Sequence, residues 1–98
     1  IEERMEQIER IQYMEQLFDF SSEAIKEHPM PLDKYEEVKK AIASLSRYYN
    51  SEEWKQDYAD DEADKLPKDL KKGVLSEDGI WNLLSDWREL EVRFRSLK

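Results

Sequence analysis

Between residues 51 and 64 the chain places seven carboxylates, Glu52, Glu53, Asp57, Asp60, Asp61, Glu62 and Asp64, against the single Lys55. The oxygen-rich run from Asp57 to Asp64 within it is the side-chain chemistry that calcium or magnesium would use. No register of the run reproduces an EF-hand loop, with its glycine at the sixth position and glutamate at the twelfth, so the run reads as a solvated acidic face. Lys65 and Lys68 are expected to meet part of that charge, at about 0 to 1 kcal/mol per exposed pair. A carboxylate-based binder of divalent cations is therefore the third of three functional readings, and no metal ligand is assigned. His28 is the sole histidine and there is no cysteine. That inventory excludes a zinc site of usual composition within one chain, a cysteine nucleophile and a disulfide framework. Near the end of a first helix, His28 reads as a partner for the helix dipole. Neighbouring carboxylates such as Glu2 and Glu6 are abundant, but a highly charged helix surface produces them by default. With only Gly73 and Gly79 available, no glycine-rich phosphate loop can be built. No catalytic residue, cofactor-binding residue or cofactor is expected, and the chain is not expected to be an enzyme.

The aromatic residues say more. Trp54 and Tyr58 lie one helical turn apart, Lys68, Lys71 and Lys72 follow them, and Trp81 stands partly off the apolar stripe of the last helix. Trp54, Tyr58, Lys68, Lys71, Lys72 and Trp81 form the candidate interaction surface, because aromatic side chains concentrate binding energy at protein interfaces. The competing role for Trp81, as core that covers the short third helix, is the preferred one on spacing alone.

These residues must be positioned by helices. Met5, Ile8, Ile11, Met14, Leu17, Phe18, Ala24 and Ile25 recur at steps of mostly three and four, and Pro29 and Pro31 end the pattern, which predicts a first helix over 2–27. Asp33 and Glu36 have capping-box spacing and predict the next start. Tyr35, Val38, Ala41, Ile42, Leu45, Tyr48 and Tyr49 mark the inner face of that second helix. Asn50 to Glu53 repeats the cap-and-acid spacing and opens a short third helix with Trp54, Tyr58 and Ala59 on one face, fraying near residue 62 where acids meet the negative end of the dipole. Pro67 and Gly73 bracket Lys68 to Lys72 as a helical turn or two, pinned by Leu66 and Leu70, with Gly73 in the left-handed position. Ser76 caps a last helix whose face is Ile80, Leu83, Leu84, Trp87, Leu90, Phe94 and Leu97. Gly79 in its first turn costs up to about 1 kcal/mol, which a close packing contact would offset. The fold class is all-α: a single domain over residues 1–98, an antiparallel bundle of three long helices with one or two short ones before the last.

Composition bounds the partners. Of 98 residues, 41% are charged and the net charge is −8, the wrong sign for non-specific attraction to nucleic acid or anionic lipid. The two halves carry 7 basic against 11 acidic and 9 against 13 side chains, so neither is a charged tail. The longest apolar runs are two or three residues, far short of the roughly 18 a membrane span needs. The expectation is a cytoplasmic protein with neither nucleic-acid binding nor membrane insertion. The start at Ile1 in place of Met points to a processed, trimmed or incompletely ordered N-terminus, and leaves a removed signal open. If the first helix overhangs the second, Met5, Ile8 and Ile11 require other cover, and a homodimer through helix one would supply it.

The stretch Tyr48-Tyr49-Asn50-Ser51-Glu52-Glu53-Trp54, with Asp57-Tyr58, Asp61-Glu62, Lys65-Leu66-Pro67, Asp69-Leu70-Lys71 and Gly73-Val74-Leu75-Ser76-Glu77-Asp78, resembles a family of bacterial proteins of about 100 residues known only as a domain of unknown function, common in streptococci and their relatives. The resemblance is good over residues 48–84, with Trp81 where a tyrosine or another aromatic is expected. It implies a mainly helical cytosolic protein and transfers no catalytic residue. The leading functional reading is a non-enzymatic module that binds a protein partner, through the segment from Trp54 to Ser76 or the end of helix one. A bacteriocin-type self-immunity protein is the alternative, by analogy of size and helical architecture alone.

Overall fold

The computed structural model describes residues 2–27 and 30–96, with side chains from residue 6 onward. His28, Pro29 and Leu97, and the side chain of Met5, lie outside the described residues, and with them the expected role of His28. The described residues form four α-helices, α1 (Glu2–Ala24), α2 (Leu32–Tyr49), α3 (Glu52–Glu62) and α4 (Glu77–Ser96), with one 3₁₀ turn at Gly73–Leu75. The described residues contain no strand, so the chain is all-α. Among the described residues no helix is long and apolar enough to cross a membrane.

α1, α2 and α4 bury or half-bury the described residues of the stripes that their spacing marks, whereas α3 does so for Trp54 and Tyr58 alone. Ile11 and Ala24 of α1, Val38, Ala41, Ile42 and Leu45 of α2, and Ile80, Leu83 and Trp87 of α4 form the core with Val74 and Leu75 of the 3₁₀ turn. Lys34 at the start of α2 pairs with Glu27 just beyond the end of α1 at 2.6 Å. Tyr48 near the end of α2 meets the same carboxylate as Arg10 near the start of α1, so α2 runs back along α1. Tyr35 stacks on Phe94 at 4.2 Å and lies 5.1 Å from Trp87, which sets the end of α4 beside the start of α2. The result is a rod of 50 × 19 × 19 Å.

Several boundaries differ from the sequence expectations, each for a local reason. The Asp33–Glu36 capping box is not formed, because Pro31 is already extended (φ −63°, ψ 151°) and its carbonyl accepts from Tyr35 N, so the cap of α2 is Pro31, ahead of Asp33. Asp33 instead accepts from the neighbouring Lys34 N. At the next junction Ser51, and not Asn50, is the cap: Ser51 Oγ accepts from Trp54 N at 3.2 Å, while Asn50 closes α2 by donating to the Ser46 carbonyl. Ser76 caps α4 as expected, accepting from Gly79 N at 3.1 Å. Gly79 is needed for close approach, since a Cβ there would lie 3.2 Å from the Gly73 carbonyl oxygen.

The segment after α3 departs most. Lys68 to Lys72 form no helix: Leu70 N closes a single turn onto Pro67, and the helical hydrogen bonds resume only at the 3₁₀ turn Gly73–Leu75. Leu66 and Leu70 do pin the segment, buried and half-buried. Gly73 is not left-handed. The left-handed residue is Asp64, at φ 60°. It follows the α3 cap, where Lys65 N bonds to Asp60 O and Asp64 N to Asp61 O, the two bonds of a Schellman motif. An aspartate there carries both a left-handed penalty and a charge at the negative helix end. Asp64→Gly is therefore expected to raise unfolding free energy by about 0.5–1 kcal/mol net of the flexibility it adds to the unfolded chain, read as a higher urea midpoint.

Candidate functional site

The most constrained polar site joins α1, α2 and α3 around Asp57. That carboxylate is 0% exposed and accepts four hydrogen bonds. Arg10 Nη2 donates to Oδ1 at 2.6 Å and Arg10 Nε to Oδ2 at 3.0 Å, a two-pronged guanidinium–carboxylate pair. Gln7 Nε2 donates to Oδ1 at 2.9 Å and Tyr48 Oη to Oδ2 at 2.5 Å. Gln7 also reaches Asp60 at 2.8 Å, and Arg10 lies 3.5 Å from the exposed Glu53. Gln7 and Arg10 stand three apart on α1 and Asp57 and Asp60 three apart on α3, so each helix turns both members of its pair toward the other. The bond to Asp57 holds the Arg10 guanidinium more firmly protonated than usual. Burial, and then the bond to Asp57, push the Tyr48 phenol well above its ordinary range.

With every lone pair direction of Asp57 engaged, the cluster is a joint that fixes three helices. Tyr48 gives it a testable pH dependence. Because its folded value lies above the ordinary 10, the stabilisation it provides is complete below about pH 10 and is lost as pH rises toward the folded value. Tyr48→Phe is expected to cost about 1.5–3 kcal/mol at pH 7. The gap between wild type and variant should close above pH 10 by up to about 1.4 kcal/mol per pH unit, measured as urea midpoints from pH 7 to 11.

A second buried carboxylate, Glu15 of α1, accepts from Val74 N at 2.8 Å and so ties down the 3₁₀ turn. This explains Gly73: a Cβ there would lie 3.1 Å from Glu15 Oε2 and from the Phe18 ring. Above Glu15 runs an open groove of about 510 Å³, lined by Ile8, Gln12, Asp19, Leu70 and Lys71 among others.

The acidic run is dispersed by these contacts. Asp57 points inward to Arg10, Asp60 to Gln7 and Gln56, and Asp61 pairs with Lys72 at 2.6 Å. Arg10 and Lys72 thus answer the charge for which Lys65 and Lys68 were expected. Among the described residues no group of three or more His, Cys, Asp or Glu side chains is arranged to hold a metal ion. Ala59, expected on the inner face of α3, is exposed, and Asp57 takes the inward place.

The six residues of the expected interaction surface do not share one environment. Trp54 is core, 6% exposed, with its indole Nε1 donating to the Val74 carbonyl at 3.1 Å and its ring stacked on Tyr58 at 5.1 Å. It leaves the candidate surface because Val74 and Leu75 close over α3. Tyr58 is half-buried beneath that stack, Lys72 is half-buried in its pair with Asp61, and Lys68 and Lys71 are exposed. Trp81 is 59% exposed, so the core role preferred for it is incorrect: Ile80 and Leu83 face inward and rotate the intervening position out. Ile11, which needed other cover only if the first helix overhung the second, is fully buried by its own chain, and Ile8 is half-buried.

No curated protein and no solved structure matches the chain. A family model described as a domain of unknown function, DUF4298, matches residues 11–97. The match takes in α1 from Ile11 onward, Tyr48 and Asp57 of the joint though not its Gln7 and Arg10, and the segment that ties α3 to α4, well beyond residues 48–84. The chain belongs to the DUF4298 family.

Proposed function

We propose that this protein is a non-enzymatic, cytoplasmic interaction module that engages a protein partner through the outer face of α4. The observation that carries the reading is Trp81, 59% exposed where Trp54 and Trp87 are 6% and 5% exposed. A bundle this small gains most from each indole it buries, and leaving one in water forgoes about 1.5–3 kcal/mol or more of apolar burial. Val92, 60% exposed and three turns further along the same face, extends the apolar character. Lys68 and Lys71, exposed on the preceding segment, are the basic residues kept from the sequence-based surface.

Affinity capture from lysate of the native cells tests this, comparing wild type with Trp81→Ala and with Lys68→Glu, Lys71→Glu, each first shown to be folded by circular dichroism. The reading expects a protein retained by wild type and lost from Trp81→Ala. Retention by Trp81→Ala at the wild-type level would overturn it. Loss from the lysine variant as well would extend the surface across the segment before α4.

A further inference from the structure

The outer face of α4 has a self-complementary order. Asp78, Trp81, Ser85, Arg88, Val92 and Arg95 follow one another at steps of three, four, three, four and three, the spacing of a helix seam that packs against a second helix. Five of the six are exposed and Ser85 is half-buried, while the opposite face of α4 is committed to the core through Ile80, Leu83 and Trp87. The six pair symmetrically about a point between Asp86 and Trp87. If a second α4 is laid antiparallel on the first, Trp81 meets Val92, Asp78 meets Arg95 and Ser85 meets Arg88, and each contact occurs twice, as a two-fold interface requires.

We propose that the occupant of this face is a second copy of the chain, docked antiparallel α4 to α4. The proposal rests on the reading of the outer face of α4 as an interaction surface. Charge decides in its favour. The chain as a whole carries −8, which sets most faces of two copies against each other. The seam holds one carboxylate and two guanidiniums and so is a stripe on which two copies do not repel as acids, with opposite charges meeting at both ends. The apolar pair Trp81–Val92 then sits inside the charged ends, an anchor within a polar rim. A single-helix seam is small, at the lower end of specific interfaces, so the dimer is a weak one formed at high concentration.

Sedimentation equilibrium over about 10 µM to 1 mM is the first test. Wild type is expected to pass from monomer to dimer, and Trp81→Glu to weaken association at least tenfold. Asp78→Arg and Arg95→Asp should each weaken it, and the double reversal should restore it, an outcome that loss of folding would not produce. Geometry is read by mixing two single-cysteine variants, Trp81→Cys and Val92→Cys, in a chain that has no other cysteine. The mixture should yield a disulfide-linked pair under mild oxidation and neither variant alone should, because Trp81 and its own copy stand about 16 Å apart along the helices. A monomer throughout with no cross-link in the mixture would overturn the second copy as occupant, while the lysate capture separately keeps or removes the surface itself. Dimers that tolerate Trp81→Glu, or cross-linking of Trp81→Cys alone, would contradict the proposed seam.

Discussion

Replacing Asp57 with alanine is expected to lower the unfolding free energy by about 3 kcal/mol, near the lower end of the 3–5 kcal/mol that follows loss of one member of a buried ion pair. The substitution leaves the Tyr48 hydroxyl, in a residue 3% exposed, without its acceptor, and removes the anion that holds Arg10 and Gln7 on α1. The lower end applies because the Arg10 side chain is 24% exposed and retains Glu53 at 3.5 Å, so its charge is not stranded from water. In a chain of this size the loss should appear as a fall in Tm of roughly 12–24 °C. Asp57→Asn should do little better, since its amide would present a donor to the donors of Gln7 and Arg10. Coupling is measured by the pair Arg10→Met and Asp57→Leu, whose combined cost should be well below the sum of the single costs. A loss under 1 kcal/mol in Asp57→Ala, by urea unfolding followed at 222 nm, would mean that the joint does not hold the helices.

Trp54→Ala is the second large effect, at about 3–5 kcal/mol. The ring is sandwiched by Tyr58 at 5.1 Å and met edge-on by Tyr49 at 5.0 Å, and the indole nitrogen satisfies the Val74 carbonyl where the 3₁₀ turn closes over α3. Trp54→Phe separates the two contributions. It keeps most of the ring contact and strands one buried carbonyl, for about 1–3 kcal/mol. Trp81→Ala should fall within about 0.5 kcal/mol of wild type, as exposed substitutions do. The contrast between the two tryptophans, read in one set of urea titrations, separates architecture from surface. Equal losses at both positions would place Trp81 in the fold.

The helices were legible because their signals are local. The apolar steps of α2 and α4, the cap at Ser76 and the close-packing glycine at 79 depend on residues within a turn or two of one another. Asp57 was not legible as a buried residue, because its three partners come from α1 and α2, 9 to 50 positions away, and nothing near it reports them. Its spacing from Trp54 was the available signal: an acid one turn after a core tryptophan shares the buried face. Glu15 offered the same clue, four residues after Ile11 on an otherwise apolar stripe. Gly73 was misassigned because a glycine before a helix cap fits the left-handed stop of a preceding turn. Only the fold reveals that the space is taken by Glu15 and Phe18 and that Asp64 adopts the left-handed conformation. Trp81 was misjudged by a single helical position: Ile80 and Leu83 define the inner face so closely that the residue between them turns to solvent.

The central claim, that the outer face of α4 is a binding surface, is tested most directly by photo-cross-linking in the native cells with a benzophenone amino acid at position 81. The same probe at Tyr13, 56% exposed on α1, is the matched control. The account predicts a discrete cross-linked species with the probe at 81 and none at 13. No adduct at 81, or adducts of equal yield at both positions, would contradict it.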